Sequence, residues 1–162
     1  FGFACCFSLF WRFVHRLIAF ERERYHALLA RKARTGNYPW KKLVSEKKTI
    51  WEGVHNYQAR NFMRQMAKDD LVLFCHSGKA KELVRLAKVA KPAYPDPTAA
   101  EGDWSAFDLQ AIKVLAQTIS LKKIKADPEL QSMHLVRNSR LSVMPVDAKE
   151  FKRLLDLAQT SL

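Results

Sequence analysis

The hydrophobic positions of this chain change period along its length. From Ala59 to Met66 they recur every three or four residues, at Ala59, Phe62, Met63 and Met66, which predicts a helix with one apolar face. The residues just before it, Trp51 to Gln58, keep no helical period and hold Trp51, Gly53, His55, Asn56, Tyr57 and Gln58 close together. Leu71 to His76 is a dense apolar run that predicts a strand ending at Ser77-Gly78, and Leu83 to Val89 predicts a second strand antiparallel to it. Ala93 to Thr98 contains Pro95 and Pro97 and is expected to be an extended connection outside helix and sheet. Trp104 to Val114 is mostly alternating and predicts a further strand. Leu121 to Lys125 and Asp127 to Gln131 predict short helices, the second with Pro128 at its first position. Leu141 to Val146 predicts a strand, and Asp147 caps a last helix whose buried stripe is Phe151, Leu154, Leu155 and Ala158. Strands mixed with short helices, without a βαβ rhythm, predict an α+β fold: a small, mainly antiparallel barrel with short helices in its connections.

The start of the chain obeys different rules. The apolar run Phe1 to Trp11 is too short to span a bilayer as a helix, and Arg12, His15 and Arg16 interrupt the apolar residues beyond it. In a helix Phe13, Leu17 and Phe20 share one face and Arg12 and Arg16 another, a pattern that suits a membrane-surface or partner-binding helix, although a helix docked on the domain or a non-native extension is the preferred reading. Glu21 to Gly36 is rich in helix formers and predicts a helix ending at the glycine. Asn37-Tyr38-Pro39-Trp40 is a turn leading into a short helix, Trp40 to Val44. The sequence opens on Phe, and residues 1–35 are expected to be an atypical apolar and basic extension, helical or of non-native sequence, ahead of a domain over residues 36–162.

Charge narrows the choice of partner. Lys and Arg number 28 against 16 Asp and Glu, a formal +12, which favours nucleic acid or another anionic surface. Cys5, Cys6 and Cys75 fit neither a disulfide framework nor a zinc spacing, so a reducing intracellular compartment without metal or cofactor is expected. A helix beginning near Asn56 offers free N–H groups and a partial positive charge, so polar side chains there can meet an anion or a base edge. The plainer alternative is that Asn56 is an N-cap and that Trp51 and Tyr57 are core. Cys75 and His76 would be nucleophile and base in a hydrolase, but adjacent strand residues point to opposite faces and cannot bond each other. Asp96, Asp103 and Asp108 have no metal spacing and read as turn and surface groups.

Five segments, WEGVHNYQARNFMRQM (51–66), FCHS (74–77), AYPDPT (93–98), IKADPEL (124–130) and LVRNSRLSVMPV (135–146), closely resemble the EVE domain family over about residues 36–158. The resemblance implies a compact barrel related to the PUA and YTH domains, with a pocket that accepts a nucleic-acid base. It implies a non-enzymatic reader of a modified base, either modified cytosine in DNA or a modified nucleoside in RNA. The alternatives are a basic RNA-binding module without modification selectivity and the Cys75/His76 hydrolase. Carried over residue by residue, the implied base pocket falls on Trp51, Asn56, Tyr57, Gln58, Arg60, Asn61, His76, Ser77, Ser139, Arg140 and Ser142. Lys41, Lys42, Lys47, Lys48, Arg64 and Lys79 cluster near these segments as candidate phosphate contacts. The chain departs from the family pattern where a Trp-Leu-Leu-Lys-Ser-Glu-Pro strand is usual and it has instead His26 to Arg34, and where Cys75, His55 and Arg85 replace Tyr, Arg and Gly. One wall of the pocket is therefore expected to lack its usual strand.

Overall fold

The computed structural model describes residues 25–30, 48–76, 81–138 and 140–162, the first segment and His76 by backbone alone. Six strands form one sheet: β1 (Tyr25–Ala30), β2 (Lys48–Trp51), β3 (Leu71–His76), β4 (Glu82–Pro95), β5 (Ser105–Ser120) and β6 (Val143–Val146), in the order β2-β5-β4-β3-β1-β6. Every neighbouring pair is antiparallel except β1 with β3, which run parallel. Four helices accompany the strands: α1 (Tyr57–Gln65), α2 (Leu121–Ala126), α3 (His134–Arg137) and α4 (Ala148–Leu157), with a 3-10 turn at Pro128–Leu130. The α+β class and the mainly antiparallel sheet are as the hydrophobic pattern predicts. Among the described residues, however, the ladder runs from β2 to β6 without closing into a barrel.

Strand alternation sends side chains to two separate cores. Leu73 and Cys75 of β3, Leu83 and Leu86 of β4 and Met144 and Val146 of β6 pack on one face with Ile124, Leu130, Leu135, Phe151, Leu154 and Leu155 from the helices and their connections. Val72 and Phe74, Val84 and Val89, Phe107 and Leu109, and Val143 face the other way and are covered by Ala59 and Met63 of α1. The predicted apolar stripes of α1 and α4 are thus the faces that meet the sheet. Phe62 packs at the margin of both cores.

Several elements differ from the sequence expectation, each for a local reason. Residues 25–30 form β1 between β3 and β6 and are not helical, because the sheet supplies partners on both sides that outweigh intrinsic helix propensity. The chain therefore does carry a strand ahead of the matched segments, and the sheet draws it from the stretch assigned to the extension. The segment Ala93 to Thr98 is not all connection: β4 continues to Pro95, with register shifts between Val89 and Lys91 and between Lys91 and Tyr94. Such irregularities are where a strand tolerates a residue without an N–H, here Pro92. β5 runs past Val114 to Ser120 because Leu115 and Ile119 are buried and the Gln117 N–H donates to Ala158 O at 3.0 Å. α3 has no counterpart in the sequence expectation, and the last strand starts at Val143, since Leu141 N closes a turn onto Asn138 O at 3.1 Å. The expected helices within residues 1–24 and at Trp40–Val44 lie outside the described residues.

Candidate nucleic-acid interface

The start of α1 is held by contacts that the sequence shows only in part. Asn56 is the N-cap: its backbone is extended and its Oδ1 accepts from Ala59 N at 2.9 Å. The capping alternative is therefore realised, and it engages only the carbonyl oxygen of the side-chain amide. Earlier in the connection from β2, Gly53 has φ +72, a left-handed conformation that an L side chain would strain. Its N–H donates to Asp96 Oδ2 at 2.8 Å. The other oxygen of Asp96 accepts from Thr98 N at 2.8 Å and Thr98 Oγ1 at 2.7 Å, and its backbone N–H donates to Trp104 O at 3.1 Å. Asp96 is buried, so it is a junction of three segments and not a surface turn residue as its spacing suggests. Burial alone would raise its pKa, but the bonds from Thr98 and Gly53 and the proximity of His55 outweigh it and hold the carboxyl below its usual range.

An aromatic cluster lies beside this junction. The Trp104 ring is flanked by Tyr57 at 4.9 Å between centroids and by His55 at 5.1 Å, tilted by 34° and 33°. The Arg60 guanidinium stands 5.0 Å from the Tyr57 ring centre. Gly102, at φ +90, makes room for Trp104: a Cβ there would come within 2.6 Å of the indole nitrogen. Tyr57 is 67% exposed, so it is a surface ring, and the expectation of a core tyrosine fails for it.

Trp51 lies at the end of β2 opposite Phe107, half-buried, with its ring edge-on to Phe74 at 5.8 Å. Its indole Nε1 is buried and has no hydrogen-bond partner among the described residues.

The arginines of α1 are engaged by the loop before β5. Arg60 Nη1 donates to Asp103 O at 2.9 Å and pairs with its Oδ2 at 3.2 Å, while Arg64 Nη2 pairs with Asp103 Oδ1 and Arg64 Nε donates to Ser105 Oγ at 3.0 Å. Asn61 Oδ1 accepts from Arg60 Nη2 at 3.2 Å. Asp103 is thus no idle surface group. The bond from Arg64, and then the charges of Arg64 and Arg60, hold its carboxyl low despite some desolvation. Asp108 likewise has a partner, accepting from the Tyr94 hydroxyl at 2.6 Å.

Of the remaining candidate residues, Gln58 and Arg140 are exposed, Ser142 is partly exposed just before β6, and Lys48 is exposed on β2. His76 ends β3, paired with Ala30 and Glu82, with only its backbone described. Ser77, Ser139, Lys41, Lys42, Lys47 and Lys79 lie outside the described residues. The structure therefore gathers Trp51, Asn56, Tyr57, Arg60, Asn61 and Arg64 on and just before α1. It adds His55, Asp96, Gly102, Asp103 and Trp104, none of which the sequence pattern assigns to the pocket. The available signal for the last three is the Glu101-Gly102-Asp103-Trp104 run, a glycine and a tryptophan close together in a loop. Cys75 is 2% exposed, and burial, then the Glu82 charge, push its thiol up to about 12, which keeps it protonated and unsuited to nucleophilic attack at neutral pH. Among the described residues no group of His, Cys, Asp and Glu is arranged to hold a metal, and no helix is long and apolar enough to cross a membrane.

A mixed sheet with one helix on one face and several short helices on the other is a PUA-like α+β domain. The chain belongs to the EVE domain family, whose profile matches residues 30–157. It is 37% identical over 133 residues to thymocyte nuclear protein 1 of Mus musculus, covering 68% of this chain and 59% of the relative, so it spans about three-fifths of that protein's length. Protein Atu2648 of Agrobacterium tumefaciens superposes with a TM-score of 0.77 at 33% identity, over 85% of this chain and 94% of that one. Human THYN1, solved in complex with DNA containing 5-methylcytosine, superposes with a TM-score of 0.76 at 26% identity, over 86% and 99% of the two chains.

Proposed function

We propose that this EVE domain is a non-enzymatic reader of a modified base in nucleic acid, and that the base is recognised where β2 runs into α1. The observation that carries the reading is the buried Trp51 indole N–H without a partner among the described residues, a few positions ahead of the exposed Asn56 and Tyr57. An unmet buried donor costs about 1–3 kcal/mol, so an acceptor on a base edge gains a comparable amount by meeting it. Taking a base out of its stack costs a few kcal/mol, and an aromatic contact returns about 1–3 kcal/mol of that. The Asn56 amide nitrogen and the exposed Gln58 side chain supply further polar groups for a base edge. The human relative bound to 5-methylcytosine DNA makes that base the first to test, with modified RNA nucleosides next. Such a reader works inside the cell, in the nucleus if the chain is eukaryotic.

The test is fluorescence anisotropy with duplexes that differ only in cytosine methylation, at two salt concentrations. A preference for the methylated duplex should persist as salt lowers both affinities. Trp51→Phe keeps a ring but removes the donor and should cut affinity for the methylated duplex by about tenfold, the equivalent of about 1.4 kcal/mol. Equal affinity of the wild-type chain for both duplexes, with steep loss in salt, would leave only a phosphate binder.

A further inference from the structure

Arg60 and Arg64 lie one helical turn apart on α1, and both reach the same carboxylate, that of Asp103. The Asp103 side chain is 70% exposed, whereas that of Arg60 is 16% exposed and that of Arg64 41%. The arginines have further partners that do not depend on this carboxylate: Arg60 donates to Asn61 Oδ1 and to the Asp103 backbone carbonyl and stands by the Tyr57 ring, and Arg64 donates to Ser105 Oγ. Two guanidiniums are therefore pre-oriented around one anionic position, and the anion that fills it is the solvent-facing partner. Guanidinium forks bind phosphate as well as carboxylate, and a phosphodiester offers two acceptor oxygens in a similar plane. Asp103 is the solvent-exposed member of both pairs, so its carboxylate can move out into water when another anion takes its place.

We infer that Arg60 and Arg64 form a clamp for a DNA backbone phosphate, and that the Asp103 carboxylate occupies this clamp in the free protein and is displaced when DNA binds. The inference rests on the nucleic-acid reading above, but not on base selectivity. Asp103 then acts as an internal competitor that lowers affinity for any DNA sequence. It also links the clamp to the base site, because Trp104 adjoins it in the chain and carries the Tyr57 ring.

The clamp is read on unmodified duplex DNA with the full chain, so a failure of base discrimination and a failure of the clamp are separable. Asp103→Asn should bind this duplex about 3- to 10-fold tighter at low salt, while Asp103→Glu, which retains the competing charge, should show no gain. Adding Arg64→Ala to Asp103→Asn should remove the gain and flatten the slope of log affinity against log salt by about 1. Equal or weaker binding by Asp103→Asn, or a gain that persists without Arg64, would overturn the proposal. Thermal melts monitor folding of each variant. If Asp103→Asn does not fold, Arg64→Ala alone decides: a flatter salt slope supports the clamp, and an unchanged slope rejects it.

Discussion

The Asp96 carboxylate accepts from the Gly53 turn and from Thr98, and the Asp96 backbone N–H donates to Trp104, so one residue ties three segments into a junction. Asp96→Ala would leave the Gly53 N–H and the Thr98 N–H without their acceptor. The expected loss is about 2–3 kcal/mol in urea unfolding, since these are bonds to a charged, buried acceptor. The pH dependence has a fixed sign. Because the native carboxyl titrates below its ordinary value of 3.8, the stabilisation is complete above that value and fades as pH falls through the lower native one. An acid titration of wild type against Asp96→Asn, which has no carboxyl to titrate there, should show the wild-type advantage shrinking only below the ordinary carboxylate range. A constant difference across that range would mean that Asp96 acts through shape alone. The sequence hides this role because Asp96 lies between two prolines, where an exposed turn is the ordinary outcome. What makes it a junction is the long-range arrival of Gly53, 43 residues earlier.

At the scale of elements, α1 shows how one residue can satisfy two readings. Asn56 caps the helix through Oδ1, while its amide nitrogen stays available to a ligand. Asn56→Ala should cost about 1 kcal/mol of stability, whereas Asn56→Asp keeps a capping oxygen and should be nearly neutral. If the amide nitrogen also meets the base, Asn56→Asp should lose affinity for the methylated duplex without losing stability, a split that urea unfolding and anisotropy together resolve. Equal affinity for Asn56→Asp and wild type would confine Asn56 to capping. The helices α1 and α4 are legible in the sequence because an amphipathic stripe is local information: Ala59 and Met63, and Phe151, Leu154 and Leu155, are the buried residues their periodicity names. β3 and the first half of β4 are legible from apolar density. β1 is not, because Tyr25–Ala30 has ordinary helix-forming neighbours and becomes a strand only between β3 and β6. The site divides in the same way. Trp51, Asn56 and Tyr57 stand in one contiguous segment and are readable, whereas Trp104 reaches Tyr57, and Asp103 reaches Arg60, from a loop more than 40 residues later in the chain.

For the whole molecule, the decisive feature is that one sheet serves two cores and only one of them carries the candidate interface. Met63 is fully buried under α1 with Val72, Phe74 and Phe107, and Phe74 and Phe107 are also the rings that seat Trp51. Leu154, 1% exposed, is buried on the opposite face with Ile124, Leu130 and Phe151. Met63→Ala and Leu154→Ala should each cost about 2–5 kcal/mol, because both remove a large side chain from a packed interior. Since the strands between them are shared, either loss should lower a single cooperative transition and not melt one face alone. Binding should separate the two. In Met63→Ala the collapse around the cavity shifts α1 and the rings below Trp51, so preference for the methylated duplex should fall even well below the unfolding midpoint. In Leu154→Ala the same loss of stability arises behind the sheet, and the remaining folded protein should keep its preference. Urea unfolding paired with anisotropy at a temperature where both variants are folded makes the comparison. Equal damage to base preference in the two variants would mean that the sheet transmits strain between its faces, and that recognition belongs to the whole fold and not to the α1 side.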